Sequence, residues 1–399
     1  MHYLGIDVSK KNSYVVHYDD EKKINEFILY YDSTSMLQFS SYLDYFDEKI
    51  IIYEATGVYS TIIRQFCKNN HLNYACLNPL ETHLNIQSLR RHKTDQVDAH
   101  NLALMGPYLK KKDINNCLAD EDQERKDCSR LIIDIEEQSN KLKNKLKARL
   151  FYIFPQLERV FKDNYGIPQL NLVYLFPHPD FILEHNKSSL KQLIKTYNSY
   201  THSTLEKIVN QLIDTAQSTY ITIKKNHPLI DDVRDICEDL IKFTKRKKKY
   251  RDKLIELCKH EKLFEVLLSI PGIGEQNAAL LTGELGNLNR FKTHKQLNAF
   301  VGIDIVRYQS GTINKKEHIN RRGSNKARKI LYQIIELIII NQRRYQNHIC
   351  DYYYKLKKSP RNKSHRVAIV ACINKLLKVT HYLYTHNLRY NYRLATTNN

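Results

Sequence analysis

The order of β-rich and helical stretches in the first hundred residues is the strongest constraint on how this chain can fold. Two β-rich runs, YLGIDVS at 3–9 and SYVVHY at 13–18, flank KKN and predict a hairpin, and INEFILY at 24–30 supplies a third strand. Helical and buried-strand patterns then alternate, in the order 34–46, 49–56, 57–70 and 72–78. Three antiparallel strands followed by alternating helices and parallel strands predict a mixed α/β sheet.

That order of elements is the ribonuclease-H-like one, and a further helical pattern, HKTDQVDAHNLALM, follows the last strand. From about 119 to 262 the pattern changes to long, charged helices at 120–154 and 228–261, which predict coiled-coil or bundle elements. A segment around FPQLERVFKDNYGIPQ predicts a loop-like insertion between them.

The last part of the chain opens with LLSIPGIGEQNAALLTGELG at 267–286. Its Pro271-Gly272-Ile273-Gly274 turn lies between two helical patterns and predicts a helix-hairpin-helix, in which backbone N–H groups and a helix N-terminus face a phosphate. A tight αα-turn that only packs is the alternative.

Basic charge is concentrated in blocks. The formal net charge is +20, residues 315–366 hold 15 Lys and Arg against three acids, and residues 242–253 hold eight against one. Such blocks, with Tyr345 and Tyr352 to Tyr354 interleaved, suit a nucleic-acid backbone with aromatic rings available for stacking. The alternative is a compositional drift in an AT-rich genome.

Two carboxylates, Asp95 and Asp98, follow directly after Arg90, Arg91, His92 and Lys93. On a helix, positions three apart share a face, so the two charges repel unless a cation lies between them. The alternative is a solvated helical face in which Asp95 favours the helix dipole.

Two further acids complete a possible metal site. Asp7 lies within the first strand, where a charge is costly without a partner, and Glu54 lies at the end of the fourth strand. Four carboxylates gathered by such a sheet would hold Mg²⁺, or Mn²⁺, as two-metal nucleases do.

The cysteines and the hydropathy exclude other classes. The eight cysteines show neither a CxxC motif nor a zinc-ligand spacing, so we expect reduced core residues. No stretch approaches the roughly 18 to 20 apolar residues of a membrane span, and the N-terminus begins at once with a strand pattern. We therefore expect a cytoplasmic protein without a membrane partner.

Three segments together resemble a known family. GIDVSKKN, YEATGVY and HKTDQVDAHNLA resemble the motifs of the DEDD-type insertion-sequence transposases, which include the Piv-type DNA invertases. The N-terminal domain of that family resembles the RuvC Holliday-junction resolvase. SIPGIGEQNAALLTGELGNLNRFKTHKQLNAFVGIDIVRYQSG, RRGSNKARKIL and KSHRVAIVACINKLLKV resemble its second domain.

The resemblance implies a division into three segments: a RuvC-like DEDD catalytic domain at 1–118, a helical coiled-coil or oligomerisation region at 119–262, and a mostly α C-terminal transposase domain at 263–399. It also implies a transposase, or recombinase, that cuts and rejoins donor and target DNA with Mg²⁺. Characterised members are guided by a structured non-coding bridge RNA and work as homodimers or homotetramers. In these, the serine of one subunit completes the acidic site of another.

The resemblance also implies roles for individual residues. Asp7, Glu54, Asp95 and Asp98 would bind metal and act in catalysis, and Ser310, in YQSG, would be the nucleophile. Many members have a proline where this chain has Ile305. Ser324, in RRGSN, is a rival nucleophile, but its position before NKARKIL favours a helix N-cap. The residues expected at the nucleic-acid backbone are Lys93, Gly272, Gly274, Arg321, Arg322, Lys326 and Arg328.

Three other functions are compatible with parts of the pattern. A junction-resolving nuclease would hydrolyse DNA with the four acids and would not need Ser310. An actin-like kinase would share GIDVS, but it needs further glycine-rich loops, and the chain has only 11 glycines. A non-catalytic nucleic-acid-binding protein gives no reason for an acid in the first strand.

Overall fold

The computed structural model describes residues 1–20, 22–77, 94–115, 119–161, 165–306, 309–310, 313–314 and 318–397. The chain divides into two compact units, Met1–Ala119 and Asp120–Asn399. We call them the sheet unit and the helical unit.

A five-stranded mixed sheet forms the centre of the sheet unit. Its strands are β1 (His2–Val8), β2 (Asn12–Asp19), β3 (Lys22–Tyr30), β4 (Lys49–Glu54) and β5 (Asn73–Leu77). They lie in the order β3-β2-β1-β4-β5, with β1, β2 and β3 antiparallel and with β4 and β5 parallel to β1. The prediction of a mixed α/β sheet is confirmed, and the strand order is that of a ribonuclease-H-like domain.

Helices cover both faces of this sheet. They are α1 (Ser33–Asp44), α2 (Ser60–Asn69) and α3 (Asp95–Leu104), followed by 3₁₀ turns at Gly106–Tyr108 and Lys111–Asp113. Leu4 and Ile6 of β1 are buried with residues of α1 and α2. Tyr3 of β1 is buried with Ala99 and Ala103 of α3 on the opposite face. Successive side chains of β1 face opposite sides of the sheet because a strand has a two-residue period.

The helical unit contains most of the remaining elements. Its helices are α4 (Asp120–Ile153), α5 (Glu158–Phe161), α6 (Ile167–Leu175), α7 (Asp180–Leu183), α8 (Lys187–Tyr197), α9 (His202–Ser218), α10 (Pro228–Cys258), α11 (Lys262–Leu268), α12 (Glu275–Leu285), α13 (His294–Val301), α14 (Asn325–Ile340), α15 (His348–Lys357), α16 (His365–His386) and α17 (Tyr392–Thr397). Further 3₁₀ turns lie at Pro155–Leu157 and Leu288–Arg290. Four two-residue strands form two antiparallel pairs, β6 (Ile305–Val306) with β9 (His318–Ile319) and β7 (Gln309–Ser310) with β8 (Ile313–Asn314).

The two long helices pack side by side in opposite directions. Lys253 pairs with Glu124 at 2.9 Å, Lys247 with Glu136 at 2.7 Å, and Lys145 with Asp232 at 2.7 Å. The two helices are therefore antiparallel, since residues later in α4 pair with residues earlier in α10. The loop-like insertion predicted between them is partly wrong, because α5 and the first turn of α6 lie within it. Pro168 occupies the first turn of α6, where a proline needs no backbone N–H.

Two hydrophobic cores stabilise the helical unit. One gathers the C-terminal end of α4 and the N-terminal end of α10 with α6 to α9. The other joins Cys128, Ile132, Leu254 and Cys258, from the far ends of the same two helices, to buried residues between 263 and 384. The long helices thus contribute to both cores, and the three-segment division of the chain stays a prediction.

The seven cysteines whose environment is described are all free thiols, and six of them are buried. This agrees with the expectation of reduced core residues. Among the described helices, none is long and apolar enough to cross a membrane.

Candidate functional site

Asp7 and Glu54 lie at neighbouring carboxyl ends of two parallel strands. The register of β1 and β4 pairs Ile6 with Tyr53, so Asp7 and Glu54 are the next residues along. By strand alternation, Asp7 shares a face with Gly5, and Glu54 shares a face with Ile52. Ile52 is buried against α3, and Gly5 touches that helix, so both half-buried acids belong to the face that α3 covers.

Glycine at position 5 lets α3 lie directly on β1. A Cβ atom there would be 2.1 Å from the carbonyl oxygen of Ala99 and 2.4 Å from the backbone nitrogen of Ala103. Further along, a Cβ atom at Gly106 would be 2.1 Å from Cδ1 of Tyr3. Helix α3 therefore runs opposite to β1, and its first turn points toward the end of the strand that carries Asp7.

The first turn of α3 carries the other two predicted acids. The Thr94 hydroxyl caps the helix by accepting a hydrogen bond from the backbone N–H of Val97 at 3.2 Å. Asp95 is exposed and Asp98 is half-buried. Carboxylates in this position are stabilised by the helix dipole, so the turn tolerates the pair before any cation binds.

The four acids are not assembled into a finished metal site. Among the described residues, no group of three or more His, Cys, Asp or Glu side chains lies close enough to hold a metal ion. The structure places Asp7 beside Glu54 and puts Asp95 and Asp98 on the helix that covers them. The donors are all carboxylate oxygens, which fit a hard divalent cation. Convergence of all four stays a prediction.

A hydrogen-bonded network that sequence reasoning missed ties α3 to the sheet. The amide of Gln96 donates to a Glu26 carboxylate oxygen at 2.8 Å, and Lys23 pairs with the same carboxylate at 3.1 Å. The hydrogen bond from Gln96, which has the larger effect, and the contact with Lys23 hold the pKa of Glu26 below its ordinary value. Tyr14, which also bonds Glu26, is the cross-strand neighbour of Asp7. No sequence signal links Gln96 to Glu26, because 70 residues separate them.

Ser310 lies in a short antiparallel ladder of the helical unit. Its backbone pairs with Ile313, and Gln309 pairs with Asn314. A second ladder pairs Ile305 with Ile319. Ser310 thus lies in a short strand, and the role of Ser310 as nucleophile stays a prediction.

Arg328, predicted at a nucleic-acid backbone, donates to carbonyl groups of its own fold. Its Nη1 atom donates to the carbonyl oxygens of Val301 at 2.6 Å and Gly323 at 3.1 Å, and its Nη2 atom donates to that of Arg321 at 3.3 Å. Burial, followed by the nearby charge of Arg321, lowers the pKa of Arg328. The guanidinium therefore ties the end of α13 to the segment before α14.

Ser324 is the N-cap of α14, as its sequence position predicts. Its hydroxyl accepts a hydrogen bond from the backbone N–H of Ala327 at 3.1 Å and donates to Glu284 at 3.2 Å. Glu284 is fully buried and pairs with Arg130 at 3.0 Å. The Ser324 hydroxyl is thus engaged in holding α14 against α12, which leaves Ser310 as the stronger candidate nucleophile.

The other predicted nucleic-acid contacts differ in their surroundings. Arg321 and Arg322 are exposed, and Arg321 has a left-handed backbone with φ of 60°. Lys326 forms an ion pair with Asp134. Lys93 lies outside the described residues.

The predicted phosphate-binding turn joins α11 to α12. Gly272 has φ of +95°, and a Cβ atom there would lie 3.1 Å from the side chain of Ile338. Gly274 is the N-cap of α12 with an extended backbone, and a Cβ atom there would meet nothing within 4 Å. Glycine is required at 272 by conformation, whereas at 274 the helix N-terminus faces open space. Binding of a phosphate there stays a prediction.

Comparison with known proteins identifies the family of the chain. The DEDD_Tnp_IS110 model, described as a transposase, matches residues 4–155, which include the four predicted acids. The model described as the transposase IS116/IS110/IS902 family matches residues 264–353, which include Ser310 and Ser324. Together the two segments span more than half of the chain.

A curated relative supports the same assignment. The insertion element IS110 uncharacterized 43.6 kDa protein of Streptomyces coelicolor is 20% identical over 199 residues, which is 50% of this chain and 49% of that protein. The match therefore spans about half the length of that curated relative. Because models of one family match both ends of the sequence, the chain belongs to the DEDD-type insertion-sequence transposases.

Proposed function

We propose that this protein is the transposase of an insertion sequence, which cuts donor and target DNA and rejoins the ends. The observation that carries the proposal is the placement of Asp7 and Glu54 side by side at strand ends, under a helix whose first turn carries Asp95 and Asp98. Family membership adds the reaction class. Cleavage would take place at these acids, in the sheet unit.

The acidic site would work with Mg²⁺, or with Mn²⁺. Asp7, Glu54, Asp95 and Asp98 would hold the ions, and an oxygen-only donor set favours these cations over Zn²⁺. The chemistry that such ions supply is stabilisation of charge on the attacking and leaving oxygens of an in-line displacement. The four side chains would position the phosphodiester for that displacement.

Ser310 would be the nucleophile. Its hydroxyl would lose a proton, its oxygen would form a bond to phosphorus, and a deoxyribose oxygen would leave and take up a proton. The reverse displacement, by the hydroxyl of another DNA end, would release Ser310 and reseal the strand. Storing the bond energy in a phosphoserine lets ends be exchanged without an external energy source, and simple hydrolysis does not do this.

The transposase would also need an RNA guide and further copies of itself. The family resemblance and the excess of basic residues support a structured bridge RNA encoded by the element. Homodimers or homotetramers would let the serine of one subunit complete the acidic site of another. We expect the purified protein to bind a structured RNA from its own element more tightly than a size-matched control RNA at physiological salt. Equal affinities, with recombination continuing after ribonuclease treatment, would leave a transposase that reads DNA directly.

The nucleophile is tested with a matched pair of serines. Wild-type protein is trapped on labelled donor DNA and digested, and the peptide that carries DNA is mapped by mass spectrometry. Ser310→Ala should lose covalent adducts and rejoined products together. Ser324→Ala should keep both, while the loss of its N-cap lowers the free energy of unfolding by about 1 kcal/mol.

Two other results would change the assignment. An adduct on a different residue would move the nucleophile to that residue. Nicked and hydrolysed DNA with no adduct under any condition would favour the junction-resolving nuclease, which uses the same acids without Ser310.

A further inference from the structure

A groove of about 950 Å³ runs between α4 and α10 in the helical unit. Its α4 wall extends from Ser139 to Lys147, and its α10 wall extends from Phe243 to Asp252. Gln276, in the first turn of α12, also lines it. At 1.5 Å per residue, the α4 wall is about 12 Å long.

The groove is strongly cationic. Five of its lining residues are basic and one, Asp252, is acidic; the basic ones are Lys143, Lys147, Lys247, Lys248 and Arg251. Lys247 pairs with Glu136 at 2.7 Å. Within the described part of the chain, neither Lys143 nor Lys248 forms an ion pair. Positive charges facing one cleft attract an anionic polymer.

The pKa of Glu136 reports this surplus of positive charge. Burial alone would raise it, but the hydrogen bond and charge of Lys247, followed by the charges of Lys329 and Arg251, hold the pKa below its ordinary value. Burial lowers the pKa of Lys247, and the charges of Arg251 and Lys143 lower it further, against the opposing effect of Glu136. Cations therefore surround both the Glu136 carboxylate and the Lys247 ammonium.

Arg251 offers a donor that the fold does not use. Its Nε atom is buried, and no described residue accepts a hydrogen bond from it. A buried donor without an acceptor costs about 1–3 kcal/mol. Because Nε is closed off from solvent, an anionic oxygen in the groove would meet Arg251 through the part of the residue that lines the groove.

Aromatic and neutral polar side chains accompany the cations. Tyr165 and Phe243 line the groove, and the Lys147 ammonium lies 5.5 Å from the centre of the Tyr165 ring. Asn140 and Asn144 add amide groups along α4. Rings beside a row of cations suit bases that are free to stack, as in proteins that bind single strands.

We propose that this groove binds the phosphodiester backbone of an unpaired nucleic-acid strand. The inference rests on the proposed function in requiring a nucleic-acid substrate, but it concerns residues remote in sequence from the acids and from Ser310. Lys143, Lys248 and Arg251 contact phosphate oxygens, and Tyr165 and Phe243 stack against bases.

The test measures binding by fluorescence anisotropy with three labelled probes: a 20-nucleotide oligouridylate, a 20-nucleotide oligodeoxythymidylate and a 20-base-pair mixed-sequence DNA duplex. The groove variant is Lys143→Gln/Lys248→Gln. The control variant is Lys141→Gln/Lys245→Gln, which removes one exposed lysine from each of the same helices outside the groove. Circular dichroism and thermal melting confirm that both variants fold.

We expect the groove variant to bind single strands about fifteenfold more weakly at 0.15 M salt, because each of the two lost phosphate contacts contributes roughly fourfold there. The slope of log K against log salt should fall by about 1.4, at roughly 0.7 per contact. The control should change by less than about threefold, because its two lysines lie outside the groove and act on the strand only at a distance, where salt screens the charge. A larger loss for oligouridylate identifies RNA as the strand, and a larger loss for oligodeoxythymidylate identifies DNA.

Equal losses in the groove and control variants, or a loss confined to the duplex, would overturn the groove assignment. If the protein then still cleaves DNA, the proposed function stands without it. Failure of the wild-type protein to bind either single-stranded probe would overturn the groove assignment alone, since cleavage of donor DNA tests the proposed function. Asp7→Asn protein should bind the single strands as the wild type does, which separates strand binding from cleavage.

Discussion

The sheet unit and the helical unit place their chemically important side chains in different ways. In the sheet unit, backbone register alone puts Asp7 beside Glu54, because β1 and β4 are parallel and pair Ile6 with Tyr53. In the helical unit, side-chain contacts between distant segments do the placing. Glu284, for example, joins Arg130 of α4 to Ser324 at the start of α14.

This difference determines whether a substitution changes function or stability. A strand pair keeps its register when one carboxylate is replaced, so the acids of the sheet unit can be changed without loss of fold. The buried Glu284 carboxylate contributes to the fold itself, since removing it would take away the ion-pair partner of Arg130 and the acceptor of the Ser324 hydroxyl. Replacing one of the four acids should therefore separate function from stability, whereas replacing Glu284 should lower stability.

The largest expected effect tests the first half of this comparison. Asp7→Asn should lower the rate of DNA strand cleavage by at least about a thousandfold, since a metal site contributes several kcal/mol to the barrier. Its free energy of unfolding and its nucleic-acid affinity should stay near those of the wild type. Cleavage assays, urea unfolding and anisotropy measure the three quantities.

Asp19→Asn is the matched control, because Asp19 lies at the other end of the sheet, across from His2 in the register of β1 and β2. The Asp19→Asn protein should cleave DNA at the wild-type rate. Excess chelator should reproduce the Asp7→Asn loss, and Mg²⁺ or Mn²⁺, but not Zn²⁺, should reverse it. Undiminished cleavage in chelator would refute the acidic metal site.

Two glycine substitutions, one in each unit, compare the effect of an added methyl group on stability. Gly5→Ala should destabilise the sheet unit by about 2–3 kcal/mol and impair cleavage, because the new methyl group would collide with the backbone of α3 and displace Asp95 and Asp98. Gly274→Ala should leave stability within about 0.5 kcal/mol, since its backbone is extended and the space around it is open. Urea unfolding measures both.

If the turn before α12 binds phosphate, Gly274→Ala should still weaken DNA binding, because its methyl group would occupy the approach to the helix N-terminus. Unchanged affinity would support a turn that only packs. Normal cleavage in Gly5→Ala would show that contact between α3 and β1 does not position the acids. Gly274→Ala, which lies outside that contact, should keep normal stability and cleavage in either case.

A dependence of stability on pH is expected in both units. Burial, followed by the charge of His2, lowers the pKa of His17 to about 4, and burial, followed by the charge of Lys375, lowers that of His348 to about 4. An unfolded histidine titrates near pH 6.5, so between these values the unfolded chain binds more protons. Stability should therefore fall as the pH falls from about 6.5 to 4.

Hydrogen exchange measured by mass spectrometry follows the two units separately in that range. Protection should decline in both units. In His17→Gln the dependence should flatten in the sheet unit alone, and in His348→Gln in the helical unit alone. Flattening in both units of either variant would show that the two unfold together.

Much of the sheet unit could be predicted from local sequence patterns. The hairpin of β1 and β2 and the alternation after β3 depend on residues close together in the chain, such as the run YLGIDVS. The same holds in the helical unit for the N-cap in front of α14, the serine of RRGSN. Periodicity and capping are short-range effects, so one sequence is enough to detect them.

The sequence by itself therefore determined the order of elements in the sheet unit, the strands that carry Asp7 and Glu54, and the basic character of the chain. Tertiary structure alone decided that Arg328 ties its own loop together, that Gln96 anchors α3 to Glu26, and that cations from α4 and α10 face one groove. The physical reason is distance along the chain. Partners such as Gln96 and Glu26 are 70 residues apart, and which side chains meet is settled only when the helices and strands pack.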